Sequence, residues 1–151
     1  MKIFKKYATH LLISCLVLLA TGNYAHAQNE DACTAQSIQG GYGFRVTGDN
    51  VALGAKFAIV GRFAADGQGH FEGIATESVS GQVGRTTFIG AYIVNADCTG
   101  AARFLFPNGV AATLDFVIVE NGKEVLIIDS DQGTVESGVA KKQVVSHKNN
   151  Q

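Results

Sequence analysis

The feature that most constrains the fold of this chain is a series of short apolar/polar alternations between about residues 38 and 141. Valine, isoleucine, phenylalanine and threonine are common in these runs and proline is nearly absent, which is typical of β-strands. Turns that contain glycine break the series at short intervals. Asn108-Gly109 and Asn121-Gly122, for example, accept the positive φ angles of tight hairpins. The sequence therefore predicts an all-β protein.

The runs between turns predict eight strands, each followed by a short connection. Short connections make consecutive strands antiparallel neighbours, so the simplest order is up-and-down. Eight such strands usually close into a barrel, because closure removes the exposed edges of the sheet. We predict an eight-stranded antiparallel up-and-down β-barrel, with a β-sandwich as the alternative. The predicted strands are residues 41–48, 55–65, 70–79, 84–95, 100–106, 110–119, 123–129 and 133–141.

The amino-terminal segment predicts export. Residues 1–27 combine three lysines, an apolar run from Leu11 to Ala20 and the A-x-A cleavage pattern Ala25-His26-Ala27. This is typical of a secretory signal peptide, and the apolar run is too short for a good membrane span. A lipidated cysteine at Cys15 is an alternative, but the apolar run continues beyond it. We therefore expect a periplasmic or secreted protein.

The remaining chain divides into three predicted parts. They are a polar tether at 28–37, a β-barrel domain at 38–141 and a flexible carboxy-terminal tail at 142–151. Two cysteines follow the signal peptide, and an even pair in an exported chain predicts a disulfide bond between Cys33 and Cys98. That bond would pin the tether across one end of the barrel.

Charge and motifs exclude several classes of function. Removing the three lysines of the signal peptide leaves 9 of the 12 Lys and Arg residues against 13 Asp and Glu residues, and no basic stripe. Nucleic acid is therefore not an expected partner. The sequence contains no G-x-S-x-G elbow, no phosphate loop before a helix and no H-E-x-x-H motif. We predict no metal, no cofactor and no identifiable catalytic residue.

One face of the predicted strands is aromatic, and we interpret it as the interior of the barrel. Gly61, Gly73 and Gly90 share this face. They either leave a cavity for a small apolar ligand or lie beneath opposing rings that fill the space. Glu77 either points inward, where burial would raise its pKa, or is a solvated strand end. The candidate ligand-binding residues are Tyr42, Phe44, Phe57, Phe63, Phe71, Glu77, Phe88, Tyr92 and Phe116.

The opposite face is unusually apolar for a lone barrel, because it includes Val60, Ile74 and Ile89. This pattern suggests covering by the tether or by another subunit, so a homo-oligomer is an expected partner state.

Four segments carry a resemblance that covers nearly the whole chain after the signal peptide. Together they resemble a group of small exported bacterial proteins of unassigned activity. The eight-strand layout is also similar, in architecture alone, to allene oxide cyclase-like barrels, and this implies no catalytic residues. The segments are Gly41-Tyr42-Gly43-Phe44, Asp66-Gly67-Gln68-Gly69 with Gly73, the run from Gly90 to Gly100, and the run from Val117 to Glu124.

The sequence is consistent with three functional hypotheses. The first is a binding module that holds a small apolar ligand inside the barrel. The second is a structural or interaction protein whose barrel is filled by its own side chains. The third is an isomerase or cyclase of the allene oxide cyclase-like type. An internal cavity separates the first and third hypotheses from the second.

Overall fold

The barrel predicted from the sequence is confirmed. In a computed structural model that describes residues 32–144, eight antiparallel strands form a closed barrel in the order β1 to β8. The sandwich alternative is wrong, because β8 pairs with β1 and closes the sheet. The predicted signal peptide lies outside the described residues, and so does most of the predicted tail.

The strands are close to those expected. The second and third match the prediction, and the others differ by one or two residues at an end. A short 3-10 helix, η1, spans Ala35–Ile38 before the first strand, and a second, η2, spans Glu120–Gly122. The strands are β1 Gly40–Asn50, β2 Ala55–Ala65, β3 His70–Val79, β4 Gln82–Val94, β5 Thr99–Leu105, β6 Ala111–Val119, β7 Glu124–Asp129 and β8 Thr134–Lys142.

Burial follows the period of two expected for strands. In β6, for example, Leu114, Phe116 and Ile118 are buried, whereas Asp115 and Val117 between them are exposed. The aromatic face is therefore the interior, as the sequence predicts. Its rings form one connected cluster across the middle of the barrel. The ring centroids of Phe71 and Phe104 are 4.6 Å apart, and those of Phe88 and Phe104 are 5.2 Å apart.

The interior glycines lie beneath phenylalanine rings. Gly73 is paired with Phe88 across β3 and β4, and a Cβ atom at Gly73 would overlap that ring. Gly90 lies beneath Phe71, and Gly61 lies beneath Phe44. Each ring therefore packs flat over the neighbouring strand where a side chain is missing. Of the two sequence interpretations of these glycines, the structure shows the filled one.

The end of the barrel that contains the β2–β3, β4–β5 and β6–β7 connections is the plugged end. Residues 35–37 of the predicted tether form η1 there together with Ile38, which is buried in the core cluster. The Tyr92 hydroxyl donates a hydrogen bond to the Ala35 carbonyl oxygen at 3.0 Å. The buried Tyr42 hydroxyl donates to the Gly122 carbonyl oxygen. Both tyrosines thus connect the barrel interior to the elements that close this end.

We call η1 the plug, and a disulfide bond just before it holds it in place. Cys33 is bonded to Cys98 in the β4–β5 connection, with their Cα atoms 4.9 Å apart. The Cys33 amide also donates a hydrogen bond to the Ala96 carbonyl oxygen at 3.2 Å. The pairing predicted from the two cysteines is confirmed, and so is its position across one end of the barrel.

The outer face carries the exposed apolar residues expected from the sequence. Val60 is 60% exposed and Ile93 is 66% exposed. Between residues 32 and 144, no helix is both long and apolar enough to cross a membrane.

Candidate functional site

The other end of the barrel is the open end, where the β1–β2, β3–β4, β5–β6 and β7–β8 connections lie. A cavity of about 90 Å³ lies inside the barrel and extends to the strand ends on this side. We call it the open-end cavity. Its walls are mostly apolar, and they include Val46, Ile59, Ala75, Ala112 and Leu114.

The floor of the open-end cavity is the aromatic cluster. Phe44, Phe63, Phe88 and Phe104 line it from below and separate it from the plugged end. Phe44 contacts Phe88 edge to face, with ring centroids 5.9 Å apart. Because these rings support one another, the floor is a rigid apolar surface rather than a set of independent side chains.

The rim is where the polar side chains lie. Glu77 is two residues before the end of β3, Thr86 is near the start of β4, and Glu136 is near the start of β8. All three line the cavity, and they are its only polar lining residues within the described chain. Phe106 completes the rim, with its ring centroid 6.3 Å from that of Phe88.

Glu136 is the most perturbed acid of the described chain. Burial, reinforced by the negative charges of Asp129 and Asp131, raises its pKa to about 7. Asp129 is the last residue of β7, and Asp131 lies in the β7–β8 turn. The Asp131 amide donates a hydrogen bond to Asp129 Oδ1 at 2.6 Å, and the Thr113 amide donates to Asp131 Oδ2 at 2.9 Å. A carboxyl group that titrates near neutral pH therefore faces an apolar cavity.

A second, smaller cavity lies at the plugged end. Its volume is about 40 Å³, and Ile38 of η1 lines it together with Tyr92, Phe116 and Val125. A space of this size holds a few water molecules at most, and its lining is apolar. The plug has therefore filled most of the room that the barrel leaves at this end.

The structure divides the predicted ligand-binding residues between the two ends. The open-end cavity is lined by Phe44, Glu77 and Phe88, and Phe63 lines both cavities. The plugged end takes Tyr42, Phe71, Tyr92 and Phe116, which pack in the core cluster around Ile38. Phe57 lines neither cavity and lies over Gly48.

The candidate residues chosen from the sequence left out most of the rim and the aliphatic side chains of the walls. Glu136 alternates with Gly138 and Ala140 on the inward face of β8, and this spacing was a usable signal for an inward carboxylate. Phe104 and Phe106 likewise alternate with the inward Ala102. The remaining lining residues absent from the prediction are Val46, Ile59, Ala75, Thr86, Ala112, Leu114 and Ile127.

The acids at the open end do not form a metal site. Within residues 32–144, no group of three or more His, Cys, Asp or Glu side chains is placed to hold a metal ion. Asp129 accepts a backbone hydrogen bond within the β7–β8 turn, and Asp131 accepts one from Thr113 of β6. The site is thus an apolar cavity with a carboxylate rim.

Comparison with solved structures supports the fold. A redesigned β-barrel, mFAP1, bound to DFHBI, is 18% identical with a TM-score of 0.52, over 72% of this chain and 97% of that chain. A de novo designed fluorescence-activating β-barrel is 15% identical with a TM-score of 0.54, over 72% of this chain and 96% of that one. No protein-family model and no curated protein matches the sequence. At these identities the likeness shows the barrel architecture alone.

Proposed function

We propose that this protein binds a small apolar molecule, or the apolar end of a larger one, in the open-end cavity. The observation that carries this proposal is the contrast between the two interior spaces. The chain fills the plugged end with Ile38 of η1, whereas the open end retains about 90 Å³ behind a rim of polar side chains. Small apolar clefts with a few convergent polar groups are the usual form of ligand sites.

The size of the cavity limits the ligand. Ligand pockets for drug-sized molecules measure roughly 300–1,000 Å³, and an apolar cavity of roughly 150 Å³ accepts benzene. A cavity of about 90 Å³ therefore holds a short alkyl group rather than a large ring system. The rest of the molecule would lie between the carboxylates of the rim or extend into solvent.

The structural neighbours add support of a general kind. One of them, mFAP1, is described as bound to DFHBI, so a closed barrel of this architecture can hold a small molecule. A filled barrel without a ligand, the second sequence hypothesis, is disfavoured by the open-end cavity. The cyclase or isomerase hypothesis gains one residue, because Glu136 has a pKa near neutrality beside the cavity.

Titration with 1-hexanol tests the proposal. We expect saturable binding by isothermal titration calorimetry and a rise in melting temperature with hexanol concentration. Replacing Ala112 by leucine fills the cavity from its wall, so binding should weaken at least tenfold. Ala111→Leu is the matched control, because Ala111 precedes it on β6 and points to the outer face. Equal hexanol binding by the two variants would contradict the proposed site.

We also propose that the chain is exported and cleaved after Ala27, in keeping with the resemblance to small exported bacterial proteins. The Cys33–Cys98 bond supports this, because disulfides persist mainly in oxidising compartments. The intact mass of the protein recovered from the periplasm or culture medium tests the cleavage. A species that begins at Gln28 supports it, and one that begins at a lipidated Cys15 contradicts it.

A further inference from the structure

The charge of the rim indicates which apolar molecule the cavity accepts. Its polar lining residues are two carboxylic acids and one hydroxyl, namely Glu77, Glu136 and Thr86. No lysine, arginine or histidine lines it within residues 32–144. The polar side chains of the rim are therefore all groups that attract a cation or accept a hydrogen bond.

The carboxylates of the rim have no internal partner. Across the described part of the chain, neither Glu77 nor Glu136 takes part in a side-chain hydrogen bond or an ion pair. The ion pairs that do form join Lys56 to Asp49, His70 to Asp66 and Lys141 to Glu124. A partly buried carboxylate without a partner lacks the compensation that such groups usually find.

The surrounding elements strengthen the negative field instead of neutralising it. Asp129 on β7 and Asp131 in the β7–β8 turn both act on Glu136 as like charges. The nearby basic residues lie on the outer face, because Lys56 and Arg85 alternate with the inward Phe57 and Thr86. A cation that enters the cavity mouth would meet Glu77 and Glu136 and no basic lining side chain, with the charges of the two aspartates close to Glu136.

We infer that the ligand of the open-end cavity is an apolar amine, whose alkyl part lies on the phenylalanine floor and whose ammonium group lies between Glu77 and Glu136. This inference rests on the proposed function and specifies its ligand class. The ammonium group supplies the hydrogen-bond donors that both carboxylates lack, and charge-assisted bonds of this kind are the stronger ones. Anionic amphiphiles such as fatty acids are excluded by the same charges.

The pH dependence of binding follows from the same geometry. Glu136 holds its proton up to about pH 7, because burial and the charges of Asp129 and Asp131 raise its pKa. An alkylamine remains protonated well above that pH. Its affinity should therefore rise between pH 6 and 8 as Glu136 ionises, whereas the affinity for an uncharged alcohol should stay constant.

Three probes of equal length test the inference: hexylamine, 1-hexanol and hexanoate, each titrated at pH 8. We expect hexylamine to bind about tenfold or more tightly than hexanol, and hexanoate to bind more weakly than either. Glu136→Gln and Glu77→Gln should each lower the affinity for hexylamine more than the affinity for hexanol, and so reduce the preference for the amine. Glu72→Gln is the control, because Glu72 is an exposed acid on the outer face of β3.

The outcomes separate this inference from the proposed function. If hexanol binds as tightly as hexylamine, or hexanoate binds most tightly, the amine inference is wrong and the apolar site stands. If an amine preference is present but survives both glutamine variants, the assignment of the two glutamates is wrong. If none of the probes binds saturably, the proposed function itself fails.

Discussion

The two ends of this barrel are built from the same sheet, but one end is filled by the chain itself and the other keeps a cavity. At the plugged end the chain supplies its own filling, since η1, Ile38 and the Cys33–Cys98 bond close the opening. At the open end the interior side chains become smaller, as at Ala75 and Ala112, and a cavity remains.

The two ends separate the interactions that stabilise the fold from the groups that are suited to function. The plugged end contains the disulfide bond, the hydrogen bonds of the Tyr42 and Tyr92 hydroxyls and much of the aromatic core, so most stabilising interactions that involve a loop lie there. The open end contains the acids whose pKa values are raised by burial, Asp129 and Glu136. Groups held in an unfavourable environment are typical of functional sites rather than of structural ones.

The largest expected effect is at the plugged end. Replacing Cys33 by serine opens a bond whose partners are 65 residues apart. The chain-entropy account puts its contribution at about 4 kcal/mol, which corresponds to a fall in melting temperature of roughly 10–20 °C. Differential scanning calorimetry measures it, and Cys98→Ser should have the same effect. A fall of less than roughly 3 °C in both variants would show that the plug is held by other contacts.

Two glycines of β4 allow the packing density at the two ends to be compared on a single strand. Gly90, towards the plugged end, lies beneath the Phe71 ring and beside the Arg103 carbonyl oxygen, so Gly90→Ala should cost about 1–3 kcal/mol through overpacking. Gly84 faces inward at the open end, where the nearest atom to an added Cβ is Glu77 Oε1 at 3.3 Å. Because that atom ends a flexible side chain, Gly84→Ala should cost less than about 1 kcal/mol.

Urea unfolding of the two alanine variants measures these costs. Similar losses of stability in Gly84→Ala and Gly90→Ala would contradict the claim that only one end is tightly filled.

The next effect is at the open end, where the ionised side chain of Glu136 lowers the stability of the fold instead of raising it. The pKa of Glu136 is raised from 4.5 in the unfolded chain to about 7 in the fold. Folding therefore takes up a proton in this range, and stability falls as the pH rises from 4.5 to 7. Because Glu136 is only partly buried, solvent screening reduces the loss to on the order of 1–2 kcal/mol.

Glu136→Gln removes this loss, so the variant should be more stable than the natural protein at pH 8 and similar to it at pH 4. Melting curves at the two pH values test the sign. Melting curves of Glu77→Gln, a second substitution at the same rim, provide the comparison. Destabilisation of Glu136→Gln at pH 8 would mean that the carboxylate has a stabilising partner in the empty protein.

The strands could be predicted from the sequence because alternation and turn residues are local signals. The sheet order followed from short connections, and the disulfide followed from the count of cysteines. The aromatic interior also followed from the alternation, as Phe63 and Phe88 show. These features depend on residues close in the chain or on simple pairing rules.

The sequence predicted that the disulfide bond pins the tether across one end, but it did not predict how the interior space divides between the two ends, since that depends on contacts between distant strands. Ring packing over Gly73 and Gly90 needs the register of β3, β4 and β5, and the sequence does not state it. The insertion of Ile38 depends on where η1 meets the barrel. Glu136 gains its raised pKa from burial and from Asp129 and Asp131, and burial is a property of the closed barrel rather than of the local sequence.

The smallest expected effect concerns the contact between the plug and the barrel. Tyr92→Phe removes the hydrogen bond to the Ala35 carbonyl oxygen and should cost about 1 kcal/mol. Amide hydrogen exchange should become faster at Ser37 and Gln39, whose amides form the hydrogen bonds of η1. Exchange at Phe88 in the middle of β4 is the internal control. Unchanged exchange in η1 would show that the tyrosine does not hold the plug.

The most direct test of the account is to locate a bound alkyl chain within the barrel. Nuclear Overhauser effects between the protons of 1-hexanol and the protein report contacts of a few ångströms. We expect contacts from the alkyl chain to Phe88, Phe106 and Ala112, which line only the open-end cavity, and none to Ile38 or Phe116 of the plugged end. Contacts confined to the plugged end or to the outer face, or no saturable contacts at all, would contradict the claim that the open end is the binding site.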